Sequence, residues 1–244
     1  MAIALIGTAR AFGTGTAISI THGLTLVAGD VLVATLCKND SFNSSVSTGT
    51  YQFVEDCDVE SWTVGWATLA VYHRVVTTPG SEGTYTWTLA LSDMWTVILR
   101  QFRGVDNTTV WDLAPPTVLG GSAGQWQNAD TGTTATAVSR TTSYDGSMAI
   151  FQSFTDTASS DYYANVNNSF TDTYNAPQGA EFSGCCQVSA VKTIATAGAI
   201  GSTASVLDAS NDWCCALFAL KLAPPSGPTI DAVQDGIHID VSWV

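Results

Sequence analysis

Large apolar residues alternate with small polar ones through the stretch from Ala67 to Val105. In its central segment, TYTWTLAL, the large side chains recur at every second position, so a strand would place them on one face. These side chains are Tyr85, Trp87, Leu89 and Leu91. The segments ATLAVYHRVV before it and WTVILRQFRGV after it repeat the alternation, with a turn at TTPGSEG and a short break at SDM. The pattern predicts an antiparallel meander of three strands with one face against a core.

Shorter runs extend the β pattern along the chain. Ala2 to Thr8 and the pair Ile18 and Ile20 indicate two strands separated by the Gly-rich turn FGTGT, and Val31 to Cys37 is apolar enough for a central strand covered on both sides. Further strands are indicated within Gln125 to Asp145, at Ser147 to Phe154, Phe182 to Val191 and Thr203 to Leu207, and at DWCCALFALKL. Since no helix of more than about two turns is indicated, we expect an all-β fold. Within this class, the number of strands predicts an antiparallel two-sheet β-sandwich of jelly-roll type over residues 1–222.

The segment APPSGP closes this domain, so residues 223–228 are expected to form a stiff linker. Residues 229–244 then form a C-terminal extended arm, in which IHIDVSWV alternates like an amphipathic strand. Its apolar positions, which are candidates for a protein interface, are Ile237, Ile239, Val241 and Trp243. An unpaired strand of this kind tends to add to a sheet of its own chain or of a neighbouring subunit. A frayed terminus and a boundary cut through a longer protein remain open.

Three polar stretches interrupt the strands. KNDSFNSSVSTG, from Lys38 to Gly49, and EDCDVES are expected to be loops. The longest irregular region, Thr155 to Gly179, concentrates aromatic residues among Asp, Asn and Ser, which is typical of contact surfaces. Its candidates for a protein interface are Tyr162, Tyr163, Phe170 and Tyr174. The alternative is a loop folded over the end of the sandwich with its aromatic side chains tucked in.

Composition and charge narrow the class of function. Of the 244 residues 12% are charged, and eight Lys and Arg against 21 Asp and Glu give a net charge of −13. Without a basic patch, we expect no contact with nucleic acid. The N-terminus lacks the features of a secretory signal, and no stretch is long and apolar enough to cross a membrane. We therefore expect a protein that is made in a cytoplasm and has no membrane partner.

Six cysteines, Cys37, Cys57, Cys185, Cys186, Cys214 and Cys215, lack both a C-x-x-C spacing and neighbouring histidines, so no zinc site is expected. One interpretation is that they are small buried hydrophobic residues in a reducing compartment. Alternation places Cys186 with Phe182 and Val188, and Cys214 with Phe218, on inward faces. The second interpretation is a disulfide between Cys186 and Cys214, which requires neighbouring strands.

Catalytic motifs are not found in the sequence. His22, His73 and His238 are far apart, no G-x-S-x-G elbow occurs, and most acidic residues lie in turn contexts. His73 shares a face with apolar residues, which favours a satisfied core or interface histidine. The acidic residues of EDCDVES lack the register of a calcium loop. We therefore expect no enzymatic activity, no cofactor and no metal.

One ordered set of segments resembles a known group of proteins. AGDVLVATL, LAVYHRVV, GTYTWTLALSD, VILRQFRGVD and DWCCALFALKL occur in this order between Ala28 and Leu222. They resemble the β-sandwich modules of tailed-bacteriophage virion proteins and bacterial surface proteins, with a G-D-L-L-V-A strand, a strand ending in R-G-V-D and a final W-A-A-A-L-x-A-L strand. The paired cysteines and the Tyr-rich region depart from that pattern. The C-terminal V-S-W resembles the opening of a fibronectin type III module.

The resemblance implies a non-enzymatic virion component. A capsid decoration or cement protein on the capsid exterior is favoured over a tail or fibre module, with the major capsid protein or other virion proteins as partners and a homo-oligomer, preferably a trimer, as the assembly. The competing class is a carbohydrate-binding module, in which exposed aromatic rings stack on a glycan. Its candidates are Trp62, Trp66, Trp111 and Trp126. Two or more of these in an exposed row would favour that class.

Overall fold

A computed structural model describes ten stretches of the chain, namely residues 2–39, 53–60, 67–79, 83–115, 127–155, 162–163, 166–176, 185–225, 229–232 and 239–242. Every named element in these stretches is a β-strand. None of the described residues belongs to a helix that is long and apolar enough to cross a membrane.

Two antiparallel sheets form the sandwich. The first contains β1 (Ala4–Thr21), β2 (Val31–Asn39), β3 (Val54–Glu60), β4 (Ala67–Val75) and β5 (Thr84–Arg103), in the order β1-β5-β2-β4-β3. The second contains β6 (Trp111–Leu113), β7 (Gln127–Ala137), β8 (Ser147–Thr155), β9 (Tyr162–Tyr163), β10 (Thr171–Ala176), β11 (Cys186–Ile194) and β12 (Thr203–Leu220). Its order is β10-β11-β8-β12-β6, with β7 and β9 also paired to β12. The predicted antiparallel β-sandwich is confirmed. The first sheet contains β1 to β5 and the second β6 to β12, so each sheet is built from consecutive strands.

Alternation along the central strands creates three apolar cores. The inner core lies between the sheets and includes Val31, Val71, Phe102, Ile150 and Phe218. The first outer core covers the other face of the first sheet and includes Leu32, Tyr72, Tyr85, Trp87 and Leu99. The second outer core covers the other face of the second sheet and includes Phe151, Phe170, Val188, Trp213 and Leu217. Consecutive residues of β2 and β8 enter different cores, so the prediction that β2 is covered on both sides is confirmed.

The first outer core is closed by a ribbon, which consists of Ala17 to Thr21 of β1 paired with Thr84 to Thr88 of β5. Tyr85 and Trp87 on the buried face of the ribbon pack edge-on against Phe53, with ring centroids 5.1 and 5.2 Å apart. Hydroxyl pairs line the exposed face, where Ser19 lies 3.0 Å from Thr86 and Thr21 lies 2.9 Å from Thr84. The ribbon thus gives the sheet a second buried face and a hydroxyl-bearing exterior.

The predicted meander is wrong in its strand order, because β2 lies between β4 and β5. The most apolar strand takes the central position, and β4 and β5 both pair antiparallel with it. The predicted break at SDM is a register shift inside one continuous β5, since Gly15 lies opposite Asp93 but Ala17 lies opposite Thr88. This bulge also corrects the predicted face of Leu91, which is 55% exposed while Leu89 is buried.

The Gly-rich segment FGTGT is not a turn, because β1 runs through it without interruption. A Cβ atom at Gly13 would lie 2.8 Å from the ring of Trp95, and Gly15 has a φ of +140° beside the register shift. Glycine here permits a close approach and a bulge within a strand. The same signal in the sequence is typical of turns, which explains the error.

Three other boundaries differ from the prediction. The acidic segment EDCDVES, expected as a loop, provides most of the edge strand β3. Thr203 to Leu207 and DWCCALFALKL are parts of one strand, β12, whose register shifts between Val206 and Asn211. The region from Thr155 to Gly179 is not wholly irregular, since it contains β9 and β10.

The C-terminal arm contains β13 (Thr229–Ala232) and β14 (Ile239–Ser242), which pair with each other as a two-stranded sheet. The register places Ile230 opposite Val241 and Asp231 opposite Asp240. Two-stranded sheets are marginally stable by themselves. The arm therefore has little stability of its own.

Candidate functional site

Asp56, His73 and Trp111 form a cluster in which a histidine contacts a carboxylate. Nδ1 of His73 lies 2.7 Å from Oδ2 of Asp56, and Nε1 of Trp111 donates to Oδ1 of Asp56 at 2.7 Å. The side chains of His73 and Asp56 are 15% and 8% exposed. The cluster lies at one lateral side of the sandwich, where β3 and β4 of the first sheet meet β6 of the second.

The strand geometry explains how this cluster forms. A bulge between Glu55 and Cys57 frees Asp56 from the regular pairing of β3 with β4. His73 follows Val71 at a spacing of two, on the face of β4 that lines the inner core. The ring of Trp111 lies edge-on between His73 and Phe218, at 5.7 and 5.6 Å.

In this cluster the Asp56 carboxylate is a hydrogen-bond acceptor that two N–H donors share. The Asp56 carboxylate accepts one N–H from His73 on β4 and one from Trp111 on β6, which places a proton on Nδ1 of His73. Buried hydrogen bonds to a charged group are among the stronger ones in proteins. His73 is therefore a satisfied, partly buried histidine, and the cluster joins the two sheets. Sequence reasoning singled out His73 but did not pair it with Asp56 on the neighbouring β3 or with Trp111 on the other sheet.

Arginines join the sheets at the opposite lateral side. Nη1 of Arg10 on β1 donates to the carbonyl of Asn175 on β10 at 2.6 Å, and its guanidinium lies 5.4 Å from the ring centroid of Tyr174. Arg100 on β5 donates to the carbonyls of Ser189 and Asp172 at 2.7 and 2.8 Å. Burial lowers the pKa of Arg100 to about 10, although the nearby Asp172 acts in the opposite direction. Both edges of the sandwich are thus closed by polar contacts.

One end of the sandwich is held by the segments that carry the virion resemblance. Asp30, from the Gly-Asp turn, receives Nε of Arg103 at 2.8 Å and Nε2 of Gln101 at 2.6 Å. Burial alone would raise the pKa of Asp30, but hydrogen bonds from Arg103, the Val27 N–H and Gln101 outweigh it and hold that pKa below its ordinary value. The Gly-Asp and R-G-V-D segments are therefore direct structural partners.

The closing segment DWCCALFALKL, which also carries the resemblance, contacts the same end of the sandwich. Asp106, the last residue of R-G-V-D, lies 3.0 Å from Nζ of Lys221, which follows the closing strand. Asp106 also accepts the N–H groups of Thr108 and Thr109. The amide of Asn107, oriented with its nitrogen toward two carbonyls, donates to Gly29 and Val105 at 3.1 and 3.2 Å. These contacts explain the motifs as a requirement of the fold.

Each of the eight basic residues of the chain is either buried or bonded to another part of the molecule. Lys38 and Arg74 are buried, and Arg10, Arg100, Arg103 and Lys221 make the contacts above. Arg140 donates to the carbonyl of Leu217 at 2.7 Å, and Lys192 donates to the carbonyl of Ile200 at 3.3 Å. The basic charge of the chain is thereby taken up within the molecule.

The predicted interface residues have different positions. Phe170 is 7% exposed and packs against Phe151 in the second outer core, so it offers little surface to a partner. Tyr174 is partly buried beneath Arg10. For these two residues the alternative of a folded-in loop is the better description. Tyr162 and Tyr163 form β9 and pair with Leu207 and Val206 of β12.

Other predicted residues fall in the arm or outside the described stretches. Ile239 and Val241 belong to β14. Ile237, Trp243, Trp62, Trp66 and Trp126 lie outside the described residues. Of the candidates for glycan stacking, Trp111 is described, and it is partly buried with its indole N–H bonded to Asp56. An exposed row that includes Trp111 is therefore not supported.

All six cysteines are buried, and none of them forms a disulfide. The alternative of a Cys186–Cys214 disulfide is wrong, because β8 lies between β11 and β12. Cys186 also lies in the second outer core whereas Cys214 lies in the inner core, so the two point to opposite faces of the sheet. The residue expected to share the face of Cys186, Phe182, lies outside the described residues. Burial raises the pKa of the Cys214 thiol well above its ordinary value.

Among the residues that the structure describes, no group of three or more His, Cys, Asp and Glu side chains is arranged to hold a metal ion. Comparisons with family models, with curated proteins and with solved structures gave no match to this chain.

Proposed function

We propose that this chain is a non-enzymatic structural protein of a bacteriophage virion. In this proposal it is a capsid decoration or cement protein, which is made in the host cytoplasm, binds the outer capsid surface and stabilises it through protein-protein contacts. A trimer is the assembly we favour. The proposal rests on the resemblance of five ordered segments to virion β-sandwich modules, and it needs neither a cofactor nor a nucleic-acid contact.

One observation carries the proposal furthest. All eight basic residues are buried or bonded within the molecule, while the net charge is −13. The exterior is consequently acidic, with hydroxyl ladders such as that of the ribbon. Such a surface is suited to the outside of a capsid, where contact with packaged DNA is absent. It also predicts that a basic surface of the capsid protein forms the contact.

Cosedimentation tests the proposal directly. The purified chain is mixed with capsids that lack it, and the pellet is analysed for bound chain per capsid. We expect saturable binding at a fixed ratio and, since the contact is electrostatic in part, weaker binding as the salt concentration rises. Recovery of the chain in the supernatant at every concentration would contradict a capsid role.

Two parallel arms of the same experiment distinguish the alternatives. Isolated tails in place of capsids test a tail or fibre module. A soluble bacterial polysaccharide, added as a competitor to chain already bound, tests the carbohydrate-binding module. Release by the polysaccharide at constant ionic strength would replace the cement proposal by the lectin one. The mass of the free chain in sedimentation equilibrium tests the trimer.

A further inference from the structure

The thiol of Cys185 contacts the backbone of Cys37 across the inner core. Sγ of Cys185 donates to the carbonyl oxygen of Cys37 at 3.7 Å, although the two residues are 148 positions apart. Both side chains are fully buried, and both belong to the inner core. Cys37 lies on β2 of the first sheet, and Cys185 directly precedes β11 of the second. The two residues thus approach each other from the two sheets within one apolar core.

The other four cysteines are placed differently. Cys186 and Cys215 lie in the second outer core, on the far face of the second sheet. Cys57 and Cys214 lie in the inner core, where Sγ of Cys57 is 3.7 Å from the carbonyl of Leu69 on its own sheet. Of the three other cysteines in the inner core, Cys37 is the one whose backbone the Cys185 thiol contacts, so it is the partner that we consider for a bond.

We propose that Cys37 and Cys185 form a disulfide between the two sheets when the protein meets a disulfide oxidant such as oxidised glutathione. One thiolate attacks the glutathione disulfide and releases one reduced glutathione, which leaves a mixed disulfide on the protein. The second cysteine then attacks the protein sulfur of that mixed disulfide and releases a second reduced glutathione. The protein loses two hydrogen atoms, and the oxidant gains them.

The positions of the two cysteines explain both access and effect. Cys37 is near the last residue of β2, and Cys185 is at the start of β11, so local opening of strand ends exposes the thiols without global unfolding. The bond would close a loop of 148 residues. Cross-links that close long loops restrict the unfolded chain most in the chain-entropy model, so the oxidised protein unfolds at a higher temperature. The inference does not depend on the proposed virion role.

The test is oxidation of the folded full chain with oxidised glutathione, followed by alkylation of the remaining thiols in denaturant and non-reducing peptide mapping. We expect one cross-linked peptide pair, containing Cys37 and Cys185, and a rise of the unfolding midpoint by several degrees that a reductant reverses. A pair containing Cys57 and Cys214, or six alkylated cysteines after oxidation, would overturn the proposal.

Two neighbouring cysteines provide a matched control. In C185A the rise on oxidation should disappear, whereas C186A, one residue away on the opposite face, should keep it. Equal loss of the response in both variants would also overturn the proposal. If C185A fails to fold, C37A serves the same purpose, because it removes the other sulfur of the pair.

Discussion

At the scale of single residues, the sandwich is held by polar side chains that the sequence could not pair. The alternation of residues predicts which face of a strand is buried, as it does for Tyr85 and Trp87. It gives no register between strands that are far apart in the chain. The contacts of Asp30 with Arg103 and of Trp111 with Asp56 join residues 73 and 55 positions apart. Such partners follow from tertiary structure alone.

Replacing Asp30 by Asn should destabilise the protein by about 2 kcal/mol at neutral pH, since it removes a buried acceptor of charged hydrogen bonds whose partner Arg103 is partly exposed. The pKa of Asp30 is lowered in the folded protein. The contribution of Asp30 to stability is therefore fully present when the pH is above the ordinary carboxyl pKa of about 4. It is lost as the pH falls through the lower pKa that Asp30 has in the folded protein.

Urea unfolding of D30N and the wild type at neutral pH and at decreasing acidic pH measures this effect. The gap between the two free energies of unfolding should narrow below about pH 4. D145N is the control, because Asp145 is exposed and its carboxylate accepts the backbone N–H of Ala197 instead of an arginine. A gap that stays constant down to the acid transition would refute the assignment of Asp30.

Replacing Trp111 by Phe should cost about 1 to 2 kcal/mol beyond the loss of ring area, since it removes the indole donor to the buried Asp56. W213F is the matched variant, because Nε1 of Trp213 is buried and has no hydrogen-bond partner. Chemical denaturation of both variants gives the comparison. Equal losses in the two would mean that the bond across the sheets contributes nothing.

At the scale of elements, the sequence predicts where most strands lie but underestimates their length. β1, β5 and β12 each continue through a segment that was expected to interrupt them. The reason is physical, since Gly-rich and polar segments such as FGTGT and SDM suit a bulge as well as a turn. Strand order was the other failure, because β2 displaces the expected pairing of β4 with β5. A hydrophobic pattern predicts faces, while order depends on packing between distant strands.

The bulge in β5 separates two leucines that simple alternation treats alike. L89A should cost about 2 to 4 kcal/mol, because Leu89 is buried in the first outer core. L91A should change stability by less than about 0.5 kcal/mol, because Leu91 is 55% exposed. Thermal or urea unfolding distinguishes them. Similar losses of stability in the two variants would contradict the bulge, because they would mean that Leu89 and Leu91 lie on the same buried face.

At the scale of the whole molecule, the proposed function gives the sandwich and the arm separate roles, which are stability for the sandwich and capsid binding for the arm. A chain shortened to residues 1–225 keeps every sandwich strand and loses β13 and β14. We expect its unfolding midpoint to equal that of the full chain, because the described arm strands pair with each other. We also expect much weaker cosedimentation with capsids, as the arm has little stability until it meets a partner.

Calorimetry and the cosedimentation assay check the two halves of this prediction separately. A lower midpoint would mean that the arm supports the sandwich. Undiminished binding would move the capsid contact to the sandwich itself, with the Tyr-containing β9 as the next candidate. The sequence predicted an arm strand that pairs, but the choice of partner required the register with Thr229 to Ala232.

The pairing of Ala4 with Arg103 has a consequence for biosynthesis. Once translated, β1 must wait for β5, and even its nearest pair, Thr21 with Thr84, is 63 positions apart. The fully buried β8 waits in the same way for β11 on one side and for Trp213 to Leu220 on the other. Nascent chains of this protein therefore carry unpaired apolar strands until these distant partners are translated, which makes them natural clients of ribosome-associated chaperones.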